Sequence, residues 1–166
     1  MLAIVTETAR SIAGLGSYGG CCDRLWGMLW GGEDLSADLG AHENREQGRY
    51  TSPYRMARDL CLFSARAAGV LPIDAVYTEV GNIDGLKAET SEGRRDGFAA
   101  KAVIHPSHVQ PVNDAFGVSA AQAEWARRIV QAFRDDPQAG VINLDGQMID
   151  RPHLVRAQRM LDAASN

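Results

Sequence analysis

An α/β architecture, a parallel sheet covered by helices, is what this sequence predicts, and three observations predict it. Four short apolar stretches, at residues 2–6, 25–31, 73–77 and 101–104, have the length and composition of strands buried on both faces. Segments with helical spacing of apolar residues stand between them. The two kinds alternate along the chain, the pattern of parallel strands joined by helical crossovers. The 166 residues suffice for one domain that buries about 68–70% of its extended surface. Four strands are too few for a closed barrel, which takes eight strands and about 250 residues.

The elements follow in order. Leu2, Ala3, Ile4, Val5 and Thr6 form the first strand and run into Glu7. A short helix over 8–15 ends at Gly14, Gly16, Gly19 and Gly20. In the second strand Trp26 and Trp30 lie four apart, on one face, and read as core or wall packing. That strand ends in Gly31 and Gly32, with Glu33 and Asp34 directly after. Glycine pairs let the backbone turn sharply and approach another molecule closely. Carboxylates at the C-terminal end of a parallel strand stand where α/β enzymes place their chemistry. Residues 38–50 read as a long polar loop of the kind that serves binding sites, with Asp38 as a helix N-cap.

A second helix is expected over 53–68, with Met56, Ala57, Leu60, Leu62, Phe63 and Ala67 as its apolar positions and Gly69 closing it. After the third strand, residues 81–85 carry turn chemistry, and 86–96 form a polar helix on which Arg94 and Arg95 read as solvated. His105 and Pro106 stop the fourth strand. Helices follow over 107–116 and 120–133, the latter opened by a capping box of Ser119 and Gln122. Asp150, before Arg151 and Pro152, is a plausible N-cap for a last helix over 154–164.

Composition excludes several function classes. A net charge of -4 and a pI near 5.5 leave no electrostatic footprint for nucleic acid. No apolar run approaches bilayer length and no signal peptide is visible at the start, so no membrane partner is expected. Cys21, Cys22 and Cys61 do not make a disulfide framework, which points to a reducing cytoplasm, with the cysteines buried as small hydrophobes.

Five motifs stand in an order that resembles the citrate lyase beta-subunit-like family of the HpcH/HpaI aldolase superfamily. They are Thr6-Glu7-Thr8-Ala9-Arg10; Gly32-Glu33-Asp34-Leu35 with Ala37-Asp38-Leu39-Gly40; Gly97-Phe98 with Lys101 and Ile104-His105-Pro106; Val112-Asn113-Asp114-Ala115-Phe116; and Asp145-Gly146-Gln147-Met148-Ile149-Asp150-Arg151-Pro152. The resemblance implies a TIM barrel of which residues 1–118 supply about the second half, and a helical extension over 119–166 that contacts a neighbouring subunit. It implies a magnesium-dependent lyase, with manganese as an alternative ion, that cleaves or forms carbon–carbon bonds in 3-hydroxyacyl-CoA esters such as citryl-CoA or malyl-CoA. Glu7 and Asp34 would be the metal ligands, amides around Gly32, Glu33 and Asp34 would hold the substrate carboxylate, and Asp150 would be a general acid/base entering a neighbouring active site. Magnesium bound by one or two carboxylates, with water and substrate completing an octahedron, agrees with that set.

The resemblance covers only the C-terminal part of the family sequence, without the arginine-bearing strands that grip the substrate. A half-barrel would expose two sheet edges, at 2–6 and 101–104, so association is expected, as a homo-oligomer (a trimer by family analogy) or with a complementary barrel half. Two other functions stand beside the lyase: a metal-dependent 2-keto-acid aldolase of the same superfamily, and a catalytically deficient barrel half serving as an assembly subunit.

Plainer roles stand beside the sharper ones. Glu7 could accept from the next helix N-terminus, Asp34 and Asp150 could be N-caps, and Glu33 could be a solvated acid. His105 and His108 read as structural because Pro106 breaks their register, and His42 and His153 as solvated. Lys101 either pairs with a buried acid or steadies the substrate.

Overall fold

A computed structural model describes residues 1–164; positions 165–166, the end of the expected extension, lie outside the described residues. The chain divides into two compact units, Met1–Phe116 and Gly117–Asn166.

The first unit is a parallel sheet with helical crossovers. Strands β1 (Leu2–Ile4), β2 (Gly27–Leu29), β5 (Leu71–Asp74) and β6 (Ala100–Lys101) stand in the order β1-β2-β5-β6, each parallel to its neighbour. The crossovers carry α1 (Ala9–Ala13), α2 (Glu33–Leu39), α3 (Ser52–Ala67) and α4 (Ile83–Asp96), and α5 (Val109–Phe116) follows β6. Each strand is shorter than its apolar run. The third begins two residues earlier than expected and includes Pro72, whose carbonyl accepts from Ala99 N at 2.9 Å. Proline lacks only a donor, so it still serves as an acceptor at that position.

Gly27 shows why the strands approach closely. A Cβ there would lie 2.9 Å from Leu2 Cδ2, 3.0 Å from Ile73 Cδ1 and 3.0 Å from the Leu71 carbonyl oxygen, space that glycine leaves to those groups. On the helix-covered side, Tyr54, Ala57, Cys61, Leu62 and Ala65 recur on one stripe of α3 and pack with Met28 and Trp30. Full burial of a side chain such as Met28 contributes about 1.5–3 kcal/mol. Leu2 and Ile4, by contrast, are 53% and 49% exposed on the outermost strand.

Several expectations need correction. Trp30 is 1% exposed but Trp26 is 63% exposed. Trp26 continues the ladder, its amide donating to the Met1 carbonyl at 2.8 Å and its carbonyl accepting from Leu71 N at 3.1 Å, but it stands at the N-terminal end of the sheet, where its ring is left uncovered. Cys21 is exposed and Cys22 half-buried, in an irregular segment ahead of β2; only Cys61 is buried. Asp38 lies inside α2 and caps a different helix, its Oδ2 accepting from Ala9 N at 2.8 Å. The expected loop at 38–50 contains an antiparallel hairpin, β3 (Arg45–Glu46) with β4 (Arg49–Tyr50). Its two-residue turn, Gln47 and Gly48, has φ of 50° and 76°, the left-handed geometry that tight hairpins need.

The second unit packs α6 (Ala120–Asp135) against α7 (Arg151–Ala164), with an antiparallel hairpin of β7 (Val141–Leu144) and β8 (Gln147–Asp150). Ala126, Ile129, Val130, Phe133, Ile149 and Ala157 form its core. The capping box of Ser119 and Gln122 opens α6 as the sequence predicts. Among the described residues no helix is long and apolar enough to cross a membrane.

Candidate metal and carboxylate site

The ends of β1 and β2 are tied together by one side chain. Thr6, fully buried, accepts the Gly31 N–H at 2.9 Å and donates to the Gly31 carbonyl at 3.1 Å. Glu7 follows Thr6 directly, and its Cγ stands 3.9 Å from where a Cβ on Gly31 would lie. Gly32 is walled by two rings: a Cβ there would meet Tyr50 Cε1 at 3.1 Å and Trp30 Cζ3 at 3.2 Å. The backbone therefore reaches the start of α2 with no side chain between Trp30 and Glu33. Glu33 and Asp34 occupy the first helical turn, where a carboxylate is favoured by the helix dipole. Asn44 Nδ2 donates to Glu33 Oε1 at 2.9 Å.

Glu7 is half-buried and Asp34 exposed, and neither carboxylate is engaged in a hydrogen bond or ion pair among the described residues. Among those residues no group of three or more His, Cys, Asp or Glu side chains could hold a metal. Two uncommitted carboxylates at adjacent strand ends nonetheless fit magnesium, which takes few protein ligands and hard oxygen donors. Glu7 is not a cap for the next helix; Thr8 caps it, accepting from Ser11 N.

Beneath the turn runs a chain of six alternating charges. Arg45 pairs with Glu89 at 2.8 Å, Glu89 with Lys101 at 2.9 Å, Lys101 with Asp74 at 3.5 Å, Asp74 with Arg58 at 3.2 Å, and Arg58 with Asp96 at 2.8 Å. Asp74 and Lys101 are buried, and the Trp30 indole Nε1–H donates to Asp74 Oδ1 at 2.6 Å. Lys101 is thus the partner of buried Asp74 and half-buried Glu89. The Arg45 guanidinium stacks 3.7 Å from the Tyr50 ring centroid, and burial pushes the Tyr50 phenol up to about 12. A groove of about 730 Å³ borders this chain, with Arg45, Tyr50, Arg58, Tyr77, Glu89 and Asp96 on its walls.

In the second unit Asp150 precedes α7 and meets His153, with Asp150 Oδ1 and His153 Nδ1 2.5 Å apart and His153 N donating to Asp150 Oδ1 at 3.4 Å. The His153 contact holds the Asp150 carboxyl below its ordinary value. His153 is therefore paired, not simply solvated; His42 is exposed. His105 and His108 are structural: His105 Nδ1 accepts from Ser107 N, and His108, fully buried, reaches the Val80 carbonyl. Arg94, expected to be solvated, donates to the Ala115 carbonyl and ties α4 to α5.

A family model described as C–C bond lyase of the TIM-barrel fold matches residues 28–166. The chain belongs to that family. A citrate lyase subunit beta-like protein of Mycobacterium tuberculosis is 36% identical over 165 residues, covering 99% of this chain and 59% of that protein. A (3S)-malyl-CoA thioesterase of Cereibacter sphaeroides is 37% identical over 147 residues, 85% of this chain and 49% of that protein. The crystal structure of protein CitE from Mycobacterium tuberculosis in complex with magnesium, acetoacetate and coenzyme A superposes with a TM-score of 0.84 at 34% identity, over 99% of this chain and 60% of that one. The chain spans about three-fifths of the length of the first of these relatives.

As a member of that family, the chain shows residues that its motifs did not single out. Trp30, Asn44, Arg58 and Asp74 shape the turn or support it, and Thr6, which the first motif contains without a role, ties the turn to the end of β1. Two signals were present in the sequence. Asp74 is an acid inside an apolar strand, and Arg58 sits four residues after Tyr54 on the apolar stripe of α3. A charge at a buried position requires a partner.

Proposed function

We propose that this chain supplies the metal-binding part of a magnesium-dependent carbon–carbon lyase acting on 3-hydroxyacyl-CoA esters such as citryl-CoA or malyl-CoA. One observation carries the reading: Glu7 and Asp34, both uncommitted, follow strand ends that Thr6 clamps together, in a chain of the C–C bond lyase family. A relative whose structure holds magnesium, acetoacetate and coenzyme A supports it.

Glu7 and Asp34 would hold the ion, magnesium or manganese. Bound there, it supplies Lewis-acid stabilisation of charge on the substrate oxygens, worth several kcal/mol. Backbone amides of Gly32, Glu33 and Asp34 would receive the substrate carboxylate, at a turn that carries no side chain at Gly32. Asp150 is a carboxylate with His153 Nδ1 beside its Oδ1 and would serve as the general acid/base. In cleavage it takes the hydroxyl proton while the bond between the hydroxyl-bearing carbon and the acyl-CoA α carbon breaks. The bonding electrons pass to that α carbon, which then takes a proton; malyl-CoA gives glyoxylate and acetyl-CoA.

The proposal places Asp150 in the active site of a neighbouring subunit and the segment 119–166 against that subunit. Among the described residues the sheet has unpaired edges at β1 and β6, with Leu2 and Ile4 exposed. Further (β/α) units, from another copy or a complementary barrel half, would cover them. Cytoplasmic residence belongs to the same proposal.

Incubation with malyl-CoA and magnesium tests the function. Glyoxylate with acetyl-CoA supports the lyase. Free coenzyme A with malate instead identifies thioester hydrolysis, the activity that the name of the Cereibacter sphaeroides relative describes. Cleavage of a 4-hydroxy-2-oxo acid alone identifies the keto-acid aldolase. A chain that binds neither magnesium nor coenzyme A and turns over none of these is the catalytically deficient subunit.

A further inference from the structure

We propose that Asp74 is a positioning residue for the turn at 31–34, acting through the indole of Trp30. The inference rests on the reading of Asp34 as a metal ligand and names what holds that ligand's turn in place.

Asp74 is 1% exposed, and its Oδ1 accepts three hydrogen bonds: from Trp30 Nε1 at 2.6 Å, from Arg58 Nε at 3.2 Å and from Ala75 N at 3.0 Å. Its Oδ2 faces Lys101 Nζ at 3.5 Å. A carboxylate so held is a fixed anchor, because each alternative orientation would leave a buried donor unpaired. What the anchor holds is the ring that precedes the turn. Trp30 is 1% exposed, and its six-membered edge fills the space a Gly32 side chain would need. The Tyr50 ring meets Trp30 edge-on, centroids 4.8 Å apart, and closes the other side of Gly32.

The turn is thus fixed at two points. Thr6 holds Gly31 by both polar backbone groups, and the ring of Trp30 bounds Gly32. Gly31 and Gly32 have no side chains with which to fix themselves, so the direction of Asp34 depends on those two supports, while Asn44 also holds Glu33. The indole donor is the only polar handle on Trp30, and Asp74 is its partner. Lys101 and Arg58 neutralise Asp74, so the anchor sits beneath the turn without placing a second net negative charge there.

Trp30→Phe removes the indole donor and keeps an apolar ring beside Gly32. The expected result is a folded protein whose dissociation constant for Mg2+ alone, by titration calorimetry, rises about ten-fold, the size found when a group that orients a metal ligand is lost. Val112→Ala, in the separate buried cluster of Tyr77, Leu86 and Val112, is the comparison for stability: a lowered Tm with Mg2+ affinity within two-fold of wild type. The second readout needs no metal. In amide NMR spectra of Trp30→Phe and of Asp74→Ala, the Gly32, Glu33 and Asp34 resonances shift or broaden relative to the wild type. Unchanged turn resonances in both variants overturn the proposal, whether or not the wild type binds metal. Unchanged Mg2+ affinity in Trp30→Phe also overturns it. A wild type that binds no Mg2+ while its turn resonances respond to these substitutions overturns only the metal reading of Asp34.

Discussion

The hydroxyl of Thr6 closes on both polar groups of Gly31, accepting the amide proton and donating to the carbonyl. It joins the strand end that carries Glu7 to the one that leads into Asp34, so two carboxylates from different strands share one rigid support.

Thr6→Val tests that support. Valine keeps the shape but leaves buried donor and acceptor groups unpaired, at about 1–3 kcal/mol. Denaturant unfolding should show that loss, and Mg2+ binding should weaken. Thr6→Ser, which keeps the hydroxyl, should retain most of both. A valine variant as stable as wild type contradicts the clamp.

Lys101→Met should cost about 1–3 kcal/mol, because it removes the cation that Asp74 and Glu89 share and leaves them only Arg58 and Arg45. Equilibrium unfolding measures it. A loss within 0.5 kcal/mol, roughly that of an ordinary surface substitution, would show that the chain of charges is not a support.

Alanine at a helical glycine ordinarily stabilises by about 0.5–1 kcal/mol. Gly93→Ala should do the reverse. A Cβ at that position would stand 2.5 Å from Asp74 Oδ2, and the carboxylate is held by Trp30, Arg58 and Lys101. A lowered Tm is expected; a raised one would mean that Asp74 moves freely.

The three thiols should separate by reactivity. Burial pushes the Cys61 thiol up to about 12, whereas Cys21 is exposed and the Arg24 backbone amide lowers Cys22. At pH 8 a thiol reagent should label two cysteines in the native protein and the third only on unfolding.

The Asp150 and His153 pair carries a pH signature. Because the folded state holds the Asp150 carboxyl low, its stabilisation is present above the ordinary carboxylate pKa and lost as pH falls through the depressed value. His153→Ala should return the Asp150 titration, followed by carbon NMR, toward its ordinary range. An unmoved titration would remove His153 as the cause.

The alternation of apolar strands with helices made the sheet legible, because buried parallel strands leave a strong compositional trace. The turn at 31–34 was legible too, since paired glycines before paired acids are rare enough to read locally. The hairpins were not anticipated, although Asp145 and Gly146 carried a turn signal. The exposure of Trp26 is not legible, because periodicity says which residues share a face but not where along the strand that face is covered. Asp74 and Arg58 signal themselves as charges at apolar positions, but their pairing is not legible, because it joins residues sixteen positions apart and a charge pattern does not name its partner.

Calorimetric titration of Mg2+ into the wild type, Glu7→Ala, Asp34→Ala and Glu33→Ala tests the central claim most directly. The account predicts binding to the wild type and to Glu33→Ala, with binding lost from Glu7→Ala and from Asp34→Ala. Wild-type affinity in either of those two variants would contradict it.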